Sequence, residues 1–273
     1  MSEKTTTSTG ASKSNLYKTL IEKIFLDRYA DGAIEVPFER SDIEDAASAM
    51  GVPLPKNIGD LVYSFRYRAP MPESILATQT EGREWVIEGA GRAKYLFRLA
   101  QVSRIVPNPD LVTVKLPDAT PEIVSAYSLS DEQALLAKVR YNRLIDVFLG
   151  VAAYSLQNHL RTTVSHVGQI EIDEIYVGVD HQGRQYVMPV QAKGGSDRLS
   201  IVQTKQDIQC CGERFPHLIC RPISTQFMSG DLIALFELTI EEDEVRVVEE
   251  RHYRLVPSEH ITAKELAAYA RRL

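Results

Sequence analysis

The stretch Gly168–Lys193 reads GQIEIDEIYVGVDHQGRQYVMPVQAK, and its reading decides the fold of the C-terminal half. Two apolar, β-branched runs flank the turn-forming Asp180-His181-Gln182-Gly183, which is a β-hairpin signature. A three-residue loop, His181-Gln182-Gly183, closing on Asp180 and Arg184 puts Gly183 at the left-handed position such loops favour. That register sets Asp173 opposite Gln191 and Glu171 opposite Lys193. Side chains alternate faces along a strand, so all four project from one side of the sheet. An acid, an amide and an ammonium on an otherwise apolar hairpin are costly to bury unpaired. Their convergence points to a divalent-metal site with a lysine beside it. Gly178 is a candidate bulge, which would shift this register and displace Glu171 first.

The plainer alternative is a cross-strand Glu171–Lys193 ion pair on a solvated face that also carries Asp173 and Gln191. Against it, both faces of the hairpin are apolar: Ile170, Ile172 and Tyr176 on one, Ile175, Val177 and Val179 on the other. Such strands read as central ones covered by helices. In the metal reading Asp173 is the anchor ligand and Gln191 offers its amide oxygen. Glu171 replaces the charge that Gln191 lacks, while Glu174 points to the opposite face. Magnesium is the expected ion, with manganese as a substitute, because one or two carboxylates hold it with positions open for water and phosphate. Lys193 would orient or deprotonate the attacking water and offset phosphate charge.

The hairpin resembles the core of the PD-(D/E)xK, or restriction-endonuclease-like, nuclease superfamily. Asp173 matches the acid of the first strand, and Gln191-Ala192-Lys193 matches the (D/E)xK tripeptide with Gln in the acidic position, a form similar to that of Mrr-like restriction enzymes. The resemblance covers roughly the C-terminal half of the chain. It implies an α/β/α sandwich around a central mixed sheet, with the Ala192 carbonyl as a further metal ligand. It also implies an additional acid on the helix before the hairpin, for which Glu132 and Asp146 are both candidates.

Length and composition suit this reading. The chain has 273 residues, enough for two domains of ordinary size. Its net charge of −6 gives no global signal for nucleic acid, so any such contact rests on local basic patches. Cys210, Cys211 and Cys220 lack a metal-ligand spacing, and an odd count suggests reduced thiols and a cytoplasmic protein. The histidines show no paired spacing for zinc. No membrane span is expected: Leu144–Leu156 is too short, contains Asp146, and reads as a buried core helix. Residues 1–14, rich in Thr and Ser, read as a disordered tail.

Residues 15–118 read as a winged helix-turn-helix domain. Leu16, Leu20, Ile21, Ile24 and Phe25 recur at helical spacing. Ser41 and Glu44 form a capping box for a second helix that buries Ile43, Ala46, Ala47 and Met50 and stops at Gly51. After Val52-Pro53-Leu54-Pro55, Asn57 caps a third helix with the apolar stripe Ile58, Leu61, Val62 and Phe65. Its other side carries Tyr63, Ser64, Arg66, Tyr67 and Arg68. Trp85-Val86-Ile87, the Gly89-Ala90-Gly91 turn and Lys94–Arg98 then form a hairpin where such domains keep their wing, with Arg92 and Lys94 near its tip. In winged helices the third helix enters the major groove and wing cations touch phosphates. Tyr63, Ser64, Arg66, Arg68, Arg92 and Lys94 are the candidate DNA contacts; simple solvation of the arginines is the alternative.

Residues 119–273 read as the nuclease domain. Pro107-Asn108-Pro109-Asp110 and Pro117–Pro121 bracket a short strand, Leu111–Leu116, at the boundary. Ser130 caps a long helical region running through Leu135, Val139, Leu144, Val147 and Phe148, with Arg140, Asn142, Arg143, His159 and Arg161 around it. After Gly194-Gly195, Ile201–Cys211 has helical spacing, and Gln203, Lys205, Gln206 and Asp207 read as surface helix formers, with Gln206 reaching a phosphate as the alternative if the helix borders the cleft. His217–Ile223, Ile233–Ile240 and Val245–Val256 read as strands, with Glu241–Glu244 a solvated turn. The whole is an α/β protein. The function expected from the resemblance is a magnesium-dependent DNA endonuclease, in the manner of a type II restriction enzyme that cuts double-stranded DNA as a homodimer. A repair or junction nuclease, and a catalytically inactive DNA-binding regulator, are the alternatives.

Overall fold

A computed structural model describes residues 8–55, 57–67, 69–101, 105–127, 131–194, 201–229 and 231–270, the side chains of 8–14, 67 and 131 excepted. The protein is mixed α/β and divides into two compact units, Met1–Val102 with Thr163–Gly168, and Ser103–Thr162 with Gln169–Leu273. The division falls before residue 118. The Pro-bracketed strand, which the sequence suggested for the end of the first domain, pairs in parallel with a late strand of the second unit. Backbone pairing, not proline content, sets this boundary. No described helix is long and apolar enough to cross a membrane.

The first unit runs α1 (Ser8–Arg28), β1 (Glu35–Glu39), α2 (Arg40–Met50), α3 (Ile58–Tyr67), α4 (Glu73–Leu76), β2 (Arg83–Gly89) and β3 (Lys94–Gln101), with sheet order β1-β3-β2. Its core joins Leu20, Ile21, Ile24 and Phe25 to Ile43, Leu61, Ile75, Trp85 and Phe97. The Phe25 ring meets Trp85 and Phe97 edge-on at 4.9 and 5.1 Å, a favoured aromatic geometry. Two expectations change. The chain is already helical at Ser8, so residues 8–14, read as tail, have helical backbone; residues 1–7 lie outside the described set. The cap of α2 is Glu39, not Ser41: Asp42 accepts the Glu39 N–H at 2.7 Å and pairs with Arg28. This Glu39–Asp42 capping box starts the helix two residues earlier, and the Arg28 ion pair engages the same Asp42 carboxylate. Gly51 closes α2 in the left-handed conformation (φ 64°), as its spacing predicts.

The second unit runs β4 (Thr113–Pro117), α5 (Glu122–Tyr127), α6 (Asp131–Tyr141), α7 (Leu144–Leu149), β5 (Ala152–Val164), β6 (Gly168–Val179), β7 (Gln185–Lys193), α8 (Ile201–Arg214), β8 (Ile219–Cys220), β9 (Ile223–Met228), β10 (Leu232–Glu241), β11 (Glu244–Val256) and α9 (Ala263–Tyr269). Among the described residues these strands form a mixed sheet in the order β4-β11-β10-β9-β7-β6-β5, with β8 beside β7. β7 and β9 are parallel, a pairing that needs a crossover, and α8 lies between them in the chain. Met188, Val190 and Ala192 pack with Leu135, Val139, Leu144 and Phe148 of α6 and α7. Gln191, one residue out of phase, meets α8 instead. Helices therefore cover both faces of the sheet.

The hairpin has the register its turn chemistry predicts. Val179 faces Gln185 and Glu174 faces Val190 without a shift. Gly183 is left-handed (φ 80°), and the Asp180 carboxylate accepts N–H groups from Gln182 and Arg184 and the Tyr186 hydroxyl. Those bonds, with the Arg184 guanidinium, hold the Asp180 carboxyl far below the usual range against its desolvation. Gly178 is not a bulge. A Cβ there would lie 2.8 Å from the Ala152 carbonyl of β5, so its role is close backbone approach.

Leu144–Leu156 is not one core helix. Arg143 (φ 50°) separates α6 from α7, Gly150 (φ 67°) ends α7, and the chain continues as β5. Asp146 fixes this break by accepting the Ala153 N–H at 3.0 Å. His159 and Arg161 therefore lie on a strand. Pro222, which has no N–H, divides the expected strand His217–Ile223 into β8 and β9. Glu242 and Asp243 form the exposed turn between β10 and β11, both with positive φ.

Candidate active site

The paired register of β6 and β7 stops at Glu174–Val190, and the next residue of β6 is Asp173. Its carboxylate spans the opening fork: Oδ2 accepts the Ala192 N–H at 2.9 Å, in place of a backbone ladder bond. Burial pushes the Asp173 carboxyl above the usual carboxylate range. The Ala192 N–H and the Lys193 charge pull it down, and the Glu132 charge pushes it further up. Asp173, Lys193 and Glu132 thus sense one another. Lys193, at the end of β7, reaches Glu132 Oε1 at 3.5 Å, and its side chain is largely buried.

The two helix acids have different partners. Glu132, in the first turn of α6, joins Lys193. Asp146 is occupied by Arg143 and the Ala153 N–H. Glu171 does not pair with Lys193 as the register suggested. The β6–β7 ladder ends at Glu174, and Glu171 instead binds Arg161 at 3.0 Å and His159 at 3.3 Å, both on β5. Glu174 turns to the opposite face, as alternation predicts. It is wholly buried and accepts Arg140 at 2.8 Å and Ser155 at 2.5 Å.

Gln191 is 2% exposed and meets two buried groups of α8: Nε2 donates to Asp207 Oδ2 at 3.0 Å and to Thr204 Oγ1 at 3.3 Å. Asp207, expected on the surface, is 1% exposed, and Gln206 is buried too. Burial drives the Asp207 carboxyl well above its usual range; Gln191 opposes this and the nearby Asp173 charge adds to it. The signal for Asp207 lay in its spacing. It stands three residues from Thr204 and four from the buried Cys211, on the inward stripe of the helix.

Magnesium prefers oxygen donors, and often needs only one or two carboxylates. Asp173 supplies one, and the Ala192 carbonyl belongs to the same fork. Gln191 Oε1 and Asp207 Oδ1 are buried oxygens without a hydrogen-bond partner among the described residues, the condition that a cation relieves. The donor set fits a hard divalent ion. No cluster of three or more His, Cys, Asp or Glu arranged for a metal occurs among the described residues, so the fit rests on mixed oxygen donors.

The candidate DNA contacts lie on the first unit. Tyr63 and Arg92 are exposed. Lys94 is exposed and pairs with Glu39 at 3.4 Å. Ser64 is half-buried, and Arg66 is tied inward, its Nε donating to the Ile87 carbonyl at 3.0 Å. Arg68 lies outside the described residues. Comparisons of the chain with protein-family models, curated proteins and solved structures found no match.

Proposed function

We propose that the protein is a metal-dependent DNA endonuclease of the PD-(D/E)xK kind, with its active site at the fork of β6 and β7. The observation that carries this reading is the Asp173 carboxylate bound to the Ala192 N–H beside the Lys193 ammonium. Supporting it, β5, β6 and β7 lie in sequence order and α8 leads to β9, parallel to β7. Helices before and after the hairpin pack on opposite faces of it, which supports the sandwich that the resemblance implies.

Asp173, Gln191 and the Ala192 carbonyl would hold the ion, with Glu132 at its margin. A bound divalent cation supplies an activated water and offsets phosphate charge. Lys193 is placed to orient that water and to offset charge on the phosphate oxygens. Water adds to phosphorus, the bond to the leaving sugar oxygen breaks, and that oxygen takes up a proton.

The first unit supports a DNA-recognition role. In favour of it, three helices precede the β2–β3 hairpin, with only the single turn of α4 intervening before it, and Tyr63 on α3 and Arg92 at the β2–β3 tip are exposed. Cutting both strands of a duplex symmetrically needs two sites, hence a homodimer. Free Cys210, Cys211 and Cys220 suit a reducing, cytoplasmic setting.

Purified protein incubated with a varied set of linear duplexes in magnesium or manganese is expected to give discrete fragments, abolished by EDTA. Faster cutting of branched than linear DNA would favour a repair or junction nuclease. The neutral Gln191 favours a second reading, a catalytically inactive DNA-binding regulator. Salt-sensitive duplex binding without cleavage in either metal would establish that reading in place of the nuclease.

A further inference from the structure

We infer that Gln191 and Asp207 act as one acid–amide unit, in which Asp207 is a positioning residue that turns the Gln191 amide oxygen toward the cation and supplies the carboxyl group that position 191 lacks. This rests on the nuclease reading and extends it to a residue outside the tripeptide.

An amide has two N–H donors and one oxygen. Both donors of Gln191 are engaged on α8, by Asp207 Oδ2 at 3.0 Å and Thr204 Oγ1 at 3.3 Å. Its Oε1 is left without a partner among the described residues. The opposite amide orientation would set that oxygen against the Asp207 oxygen that now accepts Nε2, so this contact selects which end of Gln191 is free. Exposures of 1–2% for Gln191, Thr204 and Asp207 exclude water from this selection.

A purely structural tie between α8 and the sheet would be expected to satisfy its own oxygens, as buried polar networks generally do. Here Gln191 Oε1, Asp207 Oδ1 and the Ser224 hydroxyl, on the strand residue paired with Gln191, all lack a partner among the described residues. Three open oxygens, one of them on a carboxyl group that feels the Asp173 charge, suit a cation better than they suit a helix–sheet tie. The missing strand carboxylate is thus replaced from the helix, one hydrogen bond away.

The test is manganese affinity of the full-length chain, read by electron paramagnetic resonance titration and paired with thermal melting. Asp207→Asn is expected to weaken manganese binding by about 10- to 100-fold, the range for residues that orient a metal ligand. The exchange Gln191→Glu with Asp207→Asn keeps the hydrogen bond and the charge but moves the carboxylate to the strand. It is expected to restore wild-type affinity. Affinity in Asp207→Asn equal to wild type would overturn the inference while leaving the nuclease reading intact. So would a folded exchange variant as weak as the single variant. A wild-type protein that neither binds manganese nor cuts DNA would overturn both.

Discussion

Asp173→Asn is expected to reduce metal-dependent cleavage by roughly a thousandfold while leaving the protein folded. Metal-assisted charge stabilisation is worth several kcal/mol, and about 1.4 kcal/mol corresponds to tenfold in rate, so losing the anchor carboxylate costs on the order of 10³. The fold should survive because an Asn side-chain oxygen can still accept the Ala192 N–H that now binds Asp173 at 2.9 Å. Burial, the largest influence on Asp173, opposes its charge; a neutral amide therefore removes a desolvation cost from the metal-free protein. Its melting temperature in EDTA should equal or exceed that of the wild type. Lys193→Ala should lower the rate by about 10² to 10⁴, as removal of a positioned proton-transfer or charge-stabilising group does. Single-turnover cleavage of a labelled duplex measures both. Equal rates for wild type and Lys193→Ala would reject the site.

Arg140→Met is expected to cause the largest loss of stability, roughly 3 kcal/mol by urea denaturation. Glu174 has no solvent exposure, and its partners are Arg140 at 2.8 Å and Ser155 at 2.5 Å. Removing the cation of a buried pair leaves the other charge uncompensated, at a typical cost of about 3–5 kcal/mol. The lower end applies because Arg140 is about one-third exposed, so solvent screens part of the interaction. Adding Glu174→Gln should recover most of the loss, since the stranded charge is then gone. The double variant should still bind manganese, because Glu174 faces away from Asp173. A loss below about 1 kcal/mol for Arg140→Met would show that Glu174 is not held as an ion pair.

The two acids illustrate what a sequence makes legible. Asp173 and Glu174 are neighbours, and the period of two along a strand assigns them to opposite faces without coordinates. The register of the hairpin was readable because local chemistry sets it: Asp180 and Gly183 build the turn, and the turn fixes every pair as far as Glu174–Val190. Local rules fail where the strands part. Nothing in GQIEID reveals that Glu171 stays with Arg161 and His159 on β5, because strand divergence is a tertiary event.

Residues decided by distant partners were likewise hidden. Glu132 and Asp146 looked alike until Asp146 proved committed to the Ala153 N–H. That bond stabilises the break which turned an apparent apolar helix into α7 and β5. Asp207 lies among Gln, Lys and Gln residues that favour exposed helix. Only the crossover from β7 to β9 carries it over Gln191. Likewise, β4 read as a boundary strand of the first domain because its prolines are local, while its pairing with β11 joins residues far apart in the chain.

The most direct test of a cation at the fork of β6 and β7 is an anomalous difference map from crystals soaked in manganese. A peak within bonding distance of the Asp173 carboxylate and the Gln191 amide oxygen, with Lys193 beside it, is the expected result. A map without a peak at that fork, from crystals of protein that cleaves DNA in manganese, would contradict it.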